Sequence, residues 1–329
     1  MTRLDLANIQ TLILSGAPVD YEPRPHVLFG VARNRGDVSD LGFATPNLSP
    51  RRDPASLRIL CLGASTTESG NRMGYKGSYP YFLGLLLGKV HLARVEVANF
   101  GVSAWTTAET LVNYVLFAQD LEPDLVIVHH AINDIEPRAL PGYRSDYFHF
   151  RKPWEPYRSS ALSRILIRVS RLYGYLSYLQ LKRWDIRHLV TRARPELRPG
   201  DELLFSPETS TGFLRNLRTI SDLVHLRGGR IVLTTMPGKL DLGEKPNPLA
   251  QALEEQNRLI RELARERGYI LVDLATEFEA RRDTLEGEFL DICHLTPRGN
   301  RFKARILLEA LAGEGILDPD HPPREARRR

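Results

Sequence analysis

Cysteine is scarce: the 329 residues contain two, Cys61 and Cys293. That is too few for a disulfide-stapled scaffold or a cysteine-based zinc site. No His-x-x-x-His or Cys-x-x-Cys spacing occurs, so neither a metal nor a cofactor is expected. No apolar run approaches the ~18 residues of a membrane span. The N-terminus, with Asp5, lacks the basic region and apolar core of a secretory signal. The expected location is therefore the cytoplasm. Internal repeats are missing, and biased composition is confined to the C-terminal PDHPPREARRR. Hydrophobic residues at 42% exclude a disordered chain and can fill a large core without staples.

The net charge of +5 is local. Residues 151–200 hold 12 Lys+Arg against 3 Asp+Glu, a net of +9, so the rest of the chain carries −4. That distribution argues against a nucleic-acid partner and for contact with an anionic surface through 158–194.

Residues 1–56 are rich in proline and glycine and read as an arm, with a short helix near 4–14. Beyond them, apolar runs at 57–63, 94–99, 124–132, 231–236 and 269–274 read as strands. They alternate with helical patterns at 79–90, 106–118, 211–227, 248–267 and 298–312. Alternation of this kind, with continuously apolar strands, predicts parallel βαβ units buried on both faces. Residues 137–205 interrupt it, and a flexible tail is expected over 317–329.

Ligands of open α/β sheets bind beyond the carboxyl ends of the strands. Four segments occupy those places. Gly63-Ala64-Ser65-Thr66-Thr67-Glu68 follows the first strand, and Asn99-Phe100-Gly101-Val102-Ser103 the second. Ala131-Ile132-Asn133-Asp134 follows the third. Asp291-Ile292-Cys293-His294-Leu295-Thr296-Pro297 precedes the last helix. Singly, each has a structural reading: Ser65 and Asn133 as caps, Gly101 as a turn glycine. Asp291 and His294 are spaced so that the carboxylate can accept from the imidazole Nδ1–H, leaving Nε2 for a serine proton. His129 and His130 lie in a strand, where packing or a polar contact accounts for both. Cys61 lies inside a strand and is disfavoured as a nucleophile.

Together these blocks resemble the SGNH (GDSL-type) hydrolase family, across residues 57–136 and 206–312. The chain departs from the family pattern at Ala64, where Asp is usual, and at Ala131, where Gly is usual. The resemblance implies a three-layer α/β/α, flavodoxin-like domain (57–136 and 206–316) with a five-stranded parallel sheet. It implies Ser65, Asp291 and His294 as a catalytic triad. Ser65, Gly101 and Asn133 would be the oxyanion donors. The expected activity is serine ester hydrolysis that removes a short acyl group, acetyl first, from a carbohydrate or small metabolite. The alternatives are an O-acyltransferase sharing the acyl-serine intermediate, a lipase- or lysophospholipase-like esterase, and a non-catalytic glycan-binding protein. The oligomeric state is left open.

The insertion 137–205 is basic and helical. Over Ser159–Arg194, Leu162, Ile165, Leu166, Val169, Leu172, Leu176 and Leu179 recur at three- and four-residue steps, with Arg164, Arg168 and Arg171 on the other face. That predicts an amphipathic lid helix with its apolar face on the body; a basic surface for anionic headgroups or glycans is the alternative. Tyr143, Tyr147, Phe148, Trp154 and Tyr157 precede it, as lid core or as platforms for sugar rings.

Overall fold

The computed structural model describes residues 20–317, apart from 34, 46–47, 54–55, 70–73, 91–94, 154–159, 182–185, 193–205 and 240–247. The helix expected over 4–14, Trp154, Tyr157 and all but the first residue of the tail lie outside the described residues. A five-stranded parallel sheet forms the centre. In chain order its strands are β3 (Leu57–Gly63), β4 (Val95–Gly101), β5 (Leu125–His129), β6 (Arg230–Thr234) and β7 (Ile270–Val272). Their spatial order is β4-β3-β5-β6-β7. The chain starts in the interior and reverses direction beside β3, so a switch point opens between β3 and β5.

Helices cover both faces. Thr107–Leu116 (α3) and Thr211–Leu226 (α6) lie over one. That side's core joins Leu60, Leu62, Phe100, Val126 and Val128 to Phe213, Leu217 and Ile220. Tyr79–Leu87 (α2) and Pro297–Gly313 (α9) cover the other, where Ile59, Cys61 and Ile127 meet Leu83, Leu307 and Leu311. Alternate residues of one apolar run thus feed two cores, as a strand's two-residue period requires. The long helix Pro248–Arg267 (α7) supplies Ile260 and Leu263 to the first core, and the short helix Leu274–Glu279 (α8) supplies Leu274 and Phe278 to the second. These elements match the expected fold class: the first sheet strand has the expected ends, and those of the other four are shifted by one to three residues.

The arm has more structure than its prolines suggest. Tyr21–Arg24 (β1) and Leu28–Val31 (β2) form an antiparallel pair. It buries Tyr21 and Phe29, and the Phe29 carbonyl accepts from Trp105 Nε1 at 3.0 Å. From the same arm, Arg35 Nη1 donates to Glu68 Oε1 at 2.9 Å, and Glu68 is wholly buried.

The insertion departs from the expected single lid helix. It forms Ala161–Val169 (α4) and Arg171–Leu181 (α5), broken at Ser170, whose backbone is extended (φ −122°, ψ 113°). The apolar stripe does not pack on the body: Leu162, Ile165, Val169, Leu172, Leu176 and Leu179 are all exposed. Periodicity locates the apolar face of a helix without saying what covers it.

Arg35→Ala should cost about 3–5 kcal/mol of unfolding free energy, because it leaves a buried carboxylate uncompensated. Adding Glu68→Gln should recover part of that loss, since no charge then remains to be buried. Urea denaturation of the three variants checks both; an Arg35→Ala change within error of the parent would refute the arm's role.

Candidate active site

The apolar strand β3 ends at Gly63, which has no room for a side chain: a Cβ there would lie 2.0 Å from Thr67 Oγ1 and 2.8 Å from the His129 carbonyl oxygen. The chain turns at Ala64 and opens a short helix, Ser65–Glu68 (α1). Ser65 is its first residue, so its N–H has no acceptor within the helix. Ser69, in the left-handed region at φ 53°, ends it.

Ser65 Oγ lies 2.7 Å from His294 Nε2. His294 Nδ1 lies 2.8 Å from both carboxylate oxygens of Asp291. The three-residue spacing closes a tight loop in which Asp291 Oδ1 also accepts from the N–H groups of Cys293 (3.0 Å) and His294 (2.9 Å). Burial alone would raise the Asp291 pKa, but the His294 ring and these two N–H donors outweigh it and hold the carboxyl well below its ordinary range. The loop is pinned at both sides. Leu290 N–H donates to the His294 carbonyl, and Thr296 caps α9 through Gly299 N–H with Pro297 in its first turn. Asn300, from α9, reaches back to the Gly77 carbonyl at 3.0 Å, which ties the histidine loop to the segment that follows α1.

The expected oxyanion donors divide. Asn133 Nδ2 donates to the Trp105 carbonyl at 2.9 Å and keeps its second amide hydrogen. Gly101 is not placed to donate outward. Its N–H goes to Asn99 Oδ1 at 3.0 Å, and a Cβ on it would lie 2.3 Å from the Glu68 backbone nitrogen. Gly101 serves close packing of β4 against α1. Three residues on, Ala104 adopts φ 61°, a left-handed conformation that is unusual without glycine. Ser103 N–H is taken by Glu68 Oε2 at 2.6 Å. Among the described residues, Ala104 N–H has no acceptor. Sequence reasoning passed over Ala104 because the visible glycine stood three residues earlier.

The two departures from the family pattern are absorbed. Ala64 is buried, and the Ala131 methyl packs with Ile135, Met236 and Cys293. Ala131 has an extended φ of −165°, which any residue adopts, so no glycine is required there. His129 Nδ1 and His130 Nε2 each lie 2.7 Å from a threonine hydroxyl, of Thr234 and Thr110. Burial drives both pKa values down, His130 to about 4, so both rings are neutral structural groups. Burial pushes the Cys61 thiol up to about 12, so it is not a nucleophile. Among the described residues, the cluster with metal-ligating side chains is Asp291, Cys293 and His294 itself. Both ring nitrogens of His294 are already engaged there. A serine hydroxyl so placed can pass its proton to the imidazole as it attacks a carbonyl carbon.

A family model described as the GDSL-like Lipase/Acylhydrolase family matches residues 61–302. No curated protein matches the chain in sequence. In fold the chain is similar to LAE5, an alpha/beta hydrolase enzyme from the metagenome of Lake Arreo, Spain. The identity is 15%, the match covers 79% of this chain and 97% of that one, and the TM-score is 0.51. Axe2, an acetylxylan esterase from Geobacillus stearothermophilus, matches at 17% identity, with 79% and 96% coverage and a TM-score of 0.49.

Gly101→Ala should destabilise by about 2 kcal/mol or more, because its Cβ meets backbone rather than a movable side chain. Ala104→Gly should stay within about 1 kcal/mol of the parent, since glycine relieves the left-handed strain but loosens the unfolded chain. Chemical denaturation of both variants separates a packing glycine from a strained alanine; equal costs would contradict the division.

Proposed function

The chain belongs to the GDSL-like lipase/acylhydrolase family and is a carboxylic ester hydrolase, and on that premise we propose that Ser65, His294 and Asp291 carry the reaction. His294 takes the Ser65 proton as Oγ attacks the ester carbonyl. The tetrahedral oxyanion is held by the N–H groups of Ser65 and Ala104 and by the free amide hydrogen of Asn133. His294 then gives its proton to the leaving alcohol, and water, activated by the same ring, releases the acyl group. Asp291 fixes the tautomer and stabilises the imidazolium that forms. The observation that carries this reading is the unbroken chain from Ser65 Oγ through both ring nitrogens of His294 to Asp291, at 2.7 and 2.8 Å.

The substrate reading is a short acyl group, acetyl first, on a carbohydrate or small metabolite. Its support is the character of the residues beside the donors. Ser103, Ala104 and Asn133 are small or polar. Such a site suits a small acyl group and a hydroxyl-rich alcohol better than a long chain.

Hydrolysis of p-nitrophenyl esters from acetate to decanoate tests this. Turnover should be highest for acetate and fall with chain length; a rising series would overturn the short-acyl reading and favour a lipase-like one. Ser65→Ala should abolish turnover and labelling by a fluorophosphonate. Asp291→Asn should lower kcat by about 10⁴-fold, with a smaller effect on KM. Asn133→Ala should cost about 10²–10³-fold in kcat. An Asp291→Asn enzyme within about threefold of the parent would remove Asp291 from the triad, given the ~10⁴-fold loss seen for such carboxylates. Turnover that rises on adding a sugar acceptor, with an acylated sugar as product, would shift the assignment from hydrolysis to acyl transfer.

A further inference from the structure

Seven large apolar side chains of α4 and α5 face solvent. In α4, Leu162, Ile165 and Val169 are 66%, 58% and 74% exposed. In α5, Leu172, Tyr175, Leu176 and Leu179 are 68%, 52%, 54% and 38% exposed. Their three- and four-residue steps gather them on one face of each helix. The one buried residue of α4, Ile167, lies on the other side. Single exposed hydrophobics need no explanation, but a contiguous group on one two-helix unit marks an interaction surface.

The same stretch, 161–181, carries Arg164, Arg168 and Arg171 and no acidic residue. All three arginines are exposed, and none has an ion-pair partner among the described residues. We infer that α4 and α5 form a docking surface for an anionic phospholipid bilayer. The apolar face enters the headgroup–acyl boundary, and the guanidinium groups meet lipid phosphates. Charge selects this occupant. A second copy of the chain would set the same unpaired arginines, within a segment of net charge +9, against themselves. An anionic bilayer supplies the apolar medium and the missing counter-charge together.

The unit is built to act as one piece. Ser163 Oγ and Tyr173 OH hydrogen-bond at 2.9 Å across the break at Ser170. Its two ends pair with each other at the base: Lys152 N–H donates to the Val190 carbonyl, and Arg192 N–H to that of Phe150. Arg151 donates to Glu109 and to the Ala104 carbonyl, each at 2.7 Å. The docking face therefore springs from the same end of the sheet as Ser65.

Docking needs no turnover, so vesicle partition tests it separately from the hydrolase chemistry. The full chain is floated with vesicles of phosphatidylcholine alone and of phosphatidylcholine mixed with phosphatidylglycerol. It should bind the mixed vesicles about tenfold or more tightly than the neutral ones, and high salt should weaken that preference. Ile165→Ser with Leu172→Ser and Leu176→Ser should cut binding about tenfold or more. Arg164→Glu with Arg168→Glu and Arg171→Glu should do the same. Both sets replace exposed side chains, so circular dichroism and melting temperature should be unchanged. No binding to mixed vesicles, or binding unaltered in both sets, would overturn the assignment. So would a dimer in sedimentation equilibrium that the serine set dissolves, because a second copy would then cover the face.

Discussion

A carboxylate with no exposure to solvent, Glu68, stands where three distant parts of the chain meet. It is the last residue of the helix that Ser65 opens. It accepts from Arg35 and Tyr21 of the N-terminal arm and from the Ser103 N–H beyond β4. A buried charge is tolerated only when its partners are all in place. The serine turn, the loop carrying Ala104 and the arm are therefore coupled through this one carboxylate. Burial first, and then the Glu68 charge, push the Tyr21 pKa well up, so its hydroxyl keeps the proton it donates. What reads in the sequence as a proline-rich appendage is part of the support for the nucleophile.

Asp291 presents the opposite case, a hub made almost wholly from local chain. One carboxylate accepts from the His294 ring and from two backbone N–H groups within three residues. These contacts span three residues of chain, which is why the Asp–x–x–His spacing could be read directly. Legibility elsewhere follows the same rule. The parallel strands were readable because burial on both faces leaves continuous apolar runs such as LRILCLG. The cap of the last helix was readable because Thr-Pro at a helix start has few other uses.

The features that escaped sequence reasoning depend on contacts between remote residues. Arg35 and Glu68 are 33 positions apart, and nothing in either neighbourhood announces the pair. Gly101 looked like an outward donor because glycine frees the backbone, yet its N–H turns to Asn99 and its missing side chain makes room for α1. Ala104 gave no sign at all, since a left-handed alanine is held by its surroundings rather than by its own preference. Periodicity likewise located the apolar stripes of α4 and α5 but carried no information about whether protein would cover them.

Rigidity and exposure are thus divided between two parts of one chain. Around Ser65 the backbone N–H groups of Thr67, Glu68, Ser69 and Ser103 have acceptors, whereas among the described residues those of Ser65 and Ala104 have none and sit where a developing negative charge could use them. Electrostatic stabilisation of that kind works because the dipoles are already oriented before the reaction. The insertion inverts this: its base is hydrogen-bonded through Arg151, Lys152 and Arg192, while apolar side chains of α4 and α5 are left in water. The Arg151 guanidinium joins the two regimes, since it bonds the Ala104 carbonyl as well as Glu109. The peptide bond next to the candidate oxyanion donor is therefore held by the residue that also anchors the insertion.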